Sequence, residues 1–411
     1  MFVRGVSVCA LLVLAGCGEQ ASEDPVVPAT GDAQIVDLVS PAAPGSAEPQ
    51  LSTHQDGTVY LSWLEPQADG AHGLRFSRLM QGATQWSAPQ TVVQRKDLFV
   101  NWADFPSLLP ARDGRLVAHW LQKNGTDTYA YEVRVAQSLD GGGSWSEPRV
   151  LHDDGVAAEH GFVSLWETPQ GEVQAVWLDG RDATGTTPHP QTQLAFTTLS
   201  SDGVPGSTEL IDARTCDCCQ TDAALAAQGP VVAYRDRSEA EVRDIRVLRR
   251  VNGAWSTPVP VHADGWQIEG CPVNGPAIAA HGERVAVAWF TGAQSRERVS
   301  LAFSQDGGAS FGAPLPVDEG KPLGRVDLVL DAEGNAVVSW LERAEGDSAR
   351  VLLRRVHADG TRAPALEVAR TAAARASGFP RMVPVGDELM LAWTDPTTPS
   401  RVRLARVKPG P

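Results

Sequence analysis

Four cysteines carry the most distinctive chemistry available to this sequence. Three of them, Cys216, Cys218 and Cys219, lie within four positions of T-C-D-C-C-Q-T, and Cys271 follows in G-C-P-V-N-G-P. The C-x-x-C spacing of Cys216 and Cys219 allows a disulfide, with a second one between Cys218 and Cys271. The same thiols could instead bind a soft metal ion, Cu(I) or Zn(II), as thiolates. The residues leave both interpretations open.

Histidine nitrogens could complete such a metal site, and two candidates, His160 and His189, lie in neighbouring loops. Arginine and aspartate are also concentrated there, as in D-G-R-D and Y-R-D-R. The arginine guanidinium has hydrogen-bond donors in a geometry that fits carboxylate and phosphate groups, so these loops could bind an anionic ligand. Alternatively, the arginine and aspartate side chains could form surface ion pairs with each other. The candidate catalytic residues are Asp104, Arg181, Asp182, Arg235 and Arg237. The candidate ligand-binding residues are Trp102, Glu159, Asp236, Arg243, Asp244, Trp266 and Asn274.

A short apolar run that ends in an aromatic residue recurs seven times, at intervals of about 51 to 57 residues. Each run is too short for a helix and is bounded by turn residues, which indicates a buried strand. Other strand-like segments surround each run, and no helical pattern appears. The runs are residues 59–63, 116–120, 173–177, 231–234, 285–289, 336–340 and 389–393.

Four antiparallel strands in each repeat predict an all-β fold, a β-propeller. The seventh repeat stops after its third strand, near residues 401–407, whereas an additional strand at 34–39 precedes the first repeat. Closing the ring would remove the exposed edges. We therefore expect the N-terminal strand to complete the last blade and favour seven blades, with six as the alternative.

Two turns, residues 138–145 and 304–311, fit the pattern S-x-D-x-G-x-[ST]-[WF]. This pattern resembles the Asp-box, or BNR repeat, of bacterial sialidases. The resemblance implies a propeller in which these turns join the third and fourth strands, opposite the active-site face, and have a structural role. The residues that carry it are Ser138, Asp140, Gly142, Trp145, Ser304, Asp306, Gly308 and Phe311.

The resemblance to sialidases is weaker for activity. It implies an arginine triad, a tyrosine nucleophile paired with glutamate and an acid/base aspartate. In that family the early arginine usually lies in an F-R-I-P-like motif. Segments 104–106 and 378–381 are the nearest matches to this motif, and neither fits it. We expect glycan or other anionic ligand binding, with little or no exo-sialidase activity. The alternative is a propeller that binds copper or zinc through its cysteines.

The N-terminus predicts export and lipid anchoring. Residues 1–16 have a positive charge, a short apolar run and the ending L-A-G before Cys17, which resembles a bacterial lipobox. Residues 17–32 are interpreted as a flexible tether, and 33–411 as the propeller domain. Gly18 after Cys17 favours the outer membrane. The net charge of −15 argues against a nucleic-acid partner, which leaves the anchoring membrane and a glycan or protein ligand.

Replacing Cys17 with serine removes the thiol that the lipobox interpretation assigns to lipidation. We expect C17S to leave membranes and appear in the soluble extracytoplasmic fraction, whereas the unchanged chain stays with membranes. Fractionation and mass measurement of the mature N-terminus test this expectation. A lipid-modified C17S protein in the membrane fraction would contradict it.

Overall fold

Seven antiparallel sheets form a closed ring in the computed structural model, which describes residues 1–2, 33–184 and 191–410. The seven-bladed propeller expected from the repeats is confirmed. Nearly all of the predicted signal peptide, the tether with Cys17, and also His189, lie outside the described residues. Among the residues that are described, no helix is long and apolar enough to cross a membrane.

The strands of each blade lie in the following order outward from the central channel. Blade 1 contains β2 (Ala47–Thr53), β3 (Val59–Pro66), β4 (His72–Leu79) and β5 (Gln90–Arg95). Blade 2 contains β6 (Ser107–Pro110), β7 (Leu116–Lys123), β8 (Tyr131–Ser138) and β9 (Arg149–Val150). Blade 3 contains β10 (His160–Glu167), β11 (Val173–Asp179), β12 (Thr192–Leu199) and β13 (Glu209–Thr215).

The second half of the ring follows the same plan. Blade 4 contains β14 (Asp222–Ala226), β15 (Gly229–Arg235), β16 (Ile245–Val251) and two short pieces, β17 (Ala254–Trp255) and β18 (Val259–Pro260). Blade 5 contains β19 (Ala277–His281), β20 (Arg284–Thr291), β21 (Arg298–Ser304) and β22 (Leu315–Pro316). Blade 6 contains β23 (Pro322–Leu330), β24 (Ala336–Arg343), β25 (Ser348–Val356) and β26 (Leu366–Ala372). Three 3-10 turns occupy Ala68–Gly70, Ala293–Ser295 and Arg375–Ser377.

Blade 7 is built from both ends of the described chain. It contains β27 (Arg381–Val385), β28 (Glu388–Asp395) and β29 (Arg401–Lys408), and β1 (Gln34–Leu38) supplies its outer strand. The strands β1 and β29 are antiparallel, with Gln34 opposite Lys408 and Leu38 opposite Leu404. The predicted closure is therefore confirmed, with β1 ending one residue before Val39.

The apolar runs seen in the sequence are the second strands of the blades. Five of them bury a tryptophan almost completely, and several of the indole N–H groups have a carboxylate partner two residues later. Residues i and i+2 share one face of a strand, which explains the recurring spacing, and a buried indole N–H needs an acceptor. The pairs with the shortest bonds are Trp63–Glu65 (2.7 Å), Trp177–Asp179 (2.9 Å) and Trp340–Glu342 (2.7 Å).

The two turns of the S-x-D-x-G-x-[ST]-[WF] type share one hydrogen-bond pattern. In the turn between β8 and β9, Asp140 accepts the Ser144 N–H at 2.9 Å, and Ser138 Oγ accepts the Gly142 N–H at 2.8 Å. The turn between β21 and β22 repeats both bonds at 2.9 Å. Gly142 has a φ of 97°, and a Cβ there would meet Phe76 at 2.2 Å, so glycine is required. These turns leave the blades at the end opposite to the connections between blades.

Polar side chains near the starts of the inner strands bond to the backbone of the next blade. Each accepts a backbone N–H in a buried setting, and burial raises the pKa of Asp222 to about 7. Such bonds fix the rotation of one blade against the next. They are Asp104–Phe162 (2.7 Å), Asp222–Ile278 (2.7 Å), Asn274–Arg325 (2.7 Å) and Asp327–Met382 (2.6 Å).

Deleting residues 33–38 should destabilise the ring. The deletion removes β1, which pairs with β29 through Gln34–Leu38, and exposes the edge of β29. At about 0.5–1.5 kcal/mol for each of roughly five hydrogen bonds, we expect the free energy of unfolding to fall by about 2.5–7.5 kcal/mol. Denaturant unfolding and light scattering measure the stability and the edge-driven association. The matched control deletes 19–31, which precede β1 and belong to the segment interpreted from the sequence as a tether. Equal stability of the two deletion variants would contradict the closure.

Candidate functional site

The four cysteines meet where the connections between blades 3, 4 and 5 converge. Cys216, Cys218 and Cys219 lie between β13 and β14, and Cys271 lies between β18 and β19. Cys218 and Cys271 form a disulfide with a Cα–Cα distance of 5.9 Å. Cys216 and Cys219 are buried thiols. The structure brings the four residues together, and one of the two disulfides considered from the sequence is present.

Cys216 lies at the centre of this thiol cluster. Its Sγ is 3.2 Å from that of Cys219 and 3.8 Å from that of Cys218. Cys218 is partly exposed and Cys271 is exposed, so the disulfide faces solvent and the thiol pair lies beneath it. Three sulfur atoms therefore form one group, within reach of a single metal ion or of each other.

Hydrogen bonds hold the cysteine loop in place from several blades. The Cys216 N–H donates to the Arg235 carbonyl at 3.0 Å. Gln220 donates to the Ala103 carbonyl at 2.5 Å and accepts the Gly275 N–H at 3.0 Å. Loop positions fixed in this way give the sulfur atoms a defined arrangement.

The two buried thiols have different acidities. Burial disfavours the Cys216 thiolate, but a hydrogen bond from Cys219 and the charges of Arg235 and Arg243 outweigh burial and lower the pKa of Cys216 to about 7. The Arg243 guanidinium donates to Cys216 Sγ at 3.2 Å. Burial and the neighbouring Cys216 raise the pKa of Cys219 well above its usual value. Cys216 is therefore the more acidic thiol of the pair.

Arg235 is a structural residue at this site. It is 1% exposed and donates to the carbonyls of Asn274 (2.8 Å), Phe290 (2.8 Å) and Arg243 (2.6 Å). The Trp266 ring covers its guanidinium, 4.9 Å from the ring centroid. Trp266, a candidate ligand-binding residue from the sequence, is itself buried in this position, with 9% of its surface exposed.

The other arginine candidates are engaged in ion pairs with neighbouring carboxylates. Arg237 pairs with Glu241 at 2.9 Å, and Arg181 pairs with Asp179 at 2.8 Å. These contacts agree with the ion-pair interpretation of the loops. The remaining contacts of the candidate residues are Arg243–Asp217 (3.0 Å), Asp236–Arg246 (2.6 Å), Asp244 with the Trp266 N–H (3.0 Å), Gln193–Asp182 (2.9 Å), and Trp102 beneath Arg325 (4.9 Å).

His160 belongs to a separate buried network. One ring nitrogen lies 2.9 Å from Asp154 and 3.5 Å from Asp179, and the other lies 3.2 Å from the Ala158 carbonyl. The ring of His152, which is not among the residues singled out from the sequence, stacks on the His160 ring with their centroids 3.7 Å apart. Burial opposes the charge, but the two carboxylates outweigh burial and raise the pKa of His160 to about 9. Arg181 contacts both carboxylates, so cations already fill the space between them.

A tyrosine hydroxyl joins two carboxyl groups beside blade 2. Tyr131 lies 2.7 Å from Asp104 and 3.0 Å from Glu159. Burial raises the pKa of Asp104 to about 8 and that of Glu159 to about 7. These are residue types that the sialidase resemblance implies, but Tyr131 has 0% exposure and cannot contact a ligand in this arrangement. Gly161 makes the network possible because a Cβ there would lie 1.8 Å from Asp104.

The central channel contains a polar cavity of about 200 Å³. Its lining includes Ser52, Ser107, Ser164, Thr221 and Arg381. Arg381 lies over the Phe105 ring at 4.6 Å and favours the ionised forms of Asp222 and Asp327. The volume is below the range of about 300–1,000 Å³ typical of small-molecule sites.

Several residues of these networks had no recognisable signal in the sequence. Tyr131 is the first residue of β8, Asp154 lies in the loop between β9 and β10, and Arg381 starts an inner strand. Asp179, in contrast, lies two residues after the buried Trp177, a spacing that recurs in other blades. This spacing identifies Asp179 as the acceptor of the Trp177 indole N–H.

Comparison with known proteins identifies the fold. No protein-family model matches the chain, and no curated protein matches it. A Dyadobacter fermentans protein of unknown function has a TM-score of 0.53 at 14% identity, over 93% of this chain and 100% of that one. The NanB sialidase of Streptococcus pneumoniae has a TM-score of 0.44 at 10% identity, over 88% of this chain and 68% of that one. A Penicillium chrysogenum α-L-arabinanase has a TM-score of 0.48 at 13% identity, over 74% of this chain and 92% of that one. At these identities the similarity concerns the fold alone.

The charge on His160 should make stability depend on pH. The pKa of His160 is about 9 in the folded chain, against about 6.5 in the unfolded chain. The charged ring therefore contributes at most about 3 kcal/mol to the free energy of unfolding. This contribution is complete below about pH 6.5 and is lost as the pH rises through about 9. We expect the stability difference between the unchanged chain and H160Q to shrink from pH 6 to pH 9. Urea unfolding measures it, with H262Q as the exposed control. A difference independent of pH would contradict the charged state.

Proposed function

We propose that this protein is a β-propeller that binds one soft metal ion, Cu(I), at the thiol cluster. Cys216 and Cys219 are the primary ligands, and Cys218 becomes a third when its disulfide with Cys271 is open. The grouping of the three sulfur atoms within 4.8 Å of one another is the observation that carries this proposal. The proposed location is extracytoplasmic, with Cys17 as the lipid anchor.

The sulfur spacing supports coordination to one ion. Two thiolates about 2.3 Å from one ion lie about 3.8 Å apart at the tetrahedral angle and about 4.6 Å apart in a linear arrangement. The Sγ atoms of the two primary ligands, Cys216 and Cys219, are 3.2 Å apart. They would have to separate by roughly 1 Å to admit an ion.

The number of thiols favours Cu(I) over Zn(II). Soft thiolates select Cu(I), whereas a structural zinc site requires four ligands. With the disulfide closed, only two thiols are available, and His160 is bound in its own network. Two buried thiolates and one Cu(I) ion carry a single net negative charge, and the Arg243 guanidinium 3.2 Å from Cys216 Sγ balances it.

Glycan binding is the second candidate, and it is supported by the hydroxyl groups and Arg381 that line the channel cavity. The cavity could accept at most a small sugar unit. The arginines expected to recognise an anion are occupied by backbone carbonyls or carboxylates. Calorimetry with monosaccharides, comparing the unchanged chain with R381A, tests this candidate, and a sialoside substrate tests for hydrolysis. We expect no turnover.

Copper binding is tested on the reduced chain under anaerobic conditions. We expect one Cu(I) per chain in competition with a chromogenic Cu(I) chelator. Because each removes a primary ligand, C216S and C219S should weaken binding more than tenfold, which corresponds to at least about 1.4 kcal/mol. Removing the metal with excess chelator should restore the free thiols.

The matched control is C271S, which leaves Cys216, Cys218 and Cys219 in place and should bind at least as tightly. Equal affinity in the unchanged chain and a C216S/C219S double variant would refute the site. Binding of Zn(II) through all four reduced cysteines, with weaker Cu(I) binding, would reassign the metal.

A further inference from the structure

The thiol cluster combines a solvent-facing disulfide with a buried thiol pair. Cys218 and Cys271 are bonded, with Cys271 exposed, while Cys216 and Cys219 are both buried. Cys216 Sγ lies between the two halves, 3.8 Å from Cys218 Sγ and 3.2 Å from Cys219 Sγ. Thiol–disulfide exchange needs a thiolate beside a disulfide sulfur, and Cys216 has that position.

The surroundings favour Cys216 as the attacking sulfur. Arg243 donates to its Sγ at 3.2 Å, which stabilises negative charge there. The same guanidinium is held by Asp217 at 3.0 Å and Glu241 at 2.9 Å, so its position is determined by two carboxylates. Cys219 Sγ lies 3.2 Å from Cys216 Sγ, close enough to act as the resolving thiol.

We propose that the cluster is a thiol–disulfide exchange site in which the disulfide moves between the surface pair Cys218–Cys271 and the buried pair Cys216–Cys219. This activity goes beyond metal binding and requires no metal ion. Its external partner is a thiol-containing molecule, which reaches the exposed disulfide and exchanges with it.

The internal exchange has two balanced steps. The Cys216 thiolate attacks Cys218 Sγ, the bond to Cys271 breaks, and Cys271 leaves as a thiolate that takes a proton from solvent. Cys219 then releases its proton and attacks Cys216 Sγ, and the Cys216–Cys218 bond breaks with Cys218 as the leaving thiolate, which is protonated. One disulfide is broken and one is formed, so no net oxidation occurs.

The experiment uses the full metal-free chain, in the presence of a chelator, prepared with one disulfide per molecule. Rapid differential alkylation and mass spectrometry identify which cysteines are bonded. We expect both the Cys218–Cys271 and the Cys216–Cys219 forms in the unchanged chain. In C219S, which lacks the resolving thiol, a Cys216–Cys218 bond should accumulate, and C216S should retain only Cys218–Cys271.

Two arginine variants test the role of Arg243 as a positioning residue. R243Q should slow the exchange several-fold at neutral pH, less so at alkaline pH, whereas R237Q, which removes a partner of Glu241 but no contact to Cys216, should not. Finding only Cys218–Cys271 in the unchanged chain and in C219S would overturn the proposal. Because no metal is present, this failure would be distinct from a failure of copper binding.

Discussion

The pairing of β1 with β29 is the constraint on which the rest of this structure depends. Every other blade is formed from one continuous stretch of chain, but blade 7 needs both ends. Without that pairing, β29 would be an open edge, and neighbouring blades would lose the fixed positions set by their inner-strand hydrogen bonds. The cysteine loops enter successive blades of the ring, so the distances between their sulfur atoms depend on its closure.

On the face where consecutive blades are connected, buried charge mainly holds loops in place. Arg235 satisfies backbone carbonyls from the connection before β19, from the β15–β16 loop and from β20. The polar groups of these irregular segments would be costly to bury without partners. Arginines that suggest anion recognition in the sequence thus serve as internal donors, and the carboxylates around them neutralise the remaining charge.

The thiol cluster differs from these networks because it contains two free thiols, Cys216 and Cys219. Cys216 has a lowered pKa, an arginine donor and two sulfur neighbours. The proposed Cu(I) binding and the proposed disulfide exchange would both use these properties. They would be mutually exclusive at any moment, since a Cys216–Cys219 disulfide would remove both proposed ligands. The oxidation state of the four cysteines would therefore control whether metal can bind.

The sequence by itself determined the architecture, because strand period, turn residues and repeat spacing are local properties that recur seven times. It also indicated the ring closure, since a missing strand at one end matched an additional strand at the other. The identity of the bonded cysteines, the burial of Arg235 and the link from Tyr131 to Asp104 and Glu159 were decided only by the tertiary structure. Those contacts join residues 27 to 55 positions apart, and their distances depend on how blades pack, which local patterns do not encode.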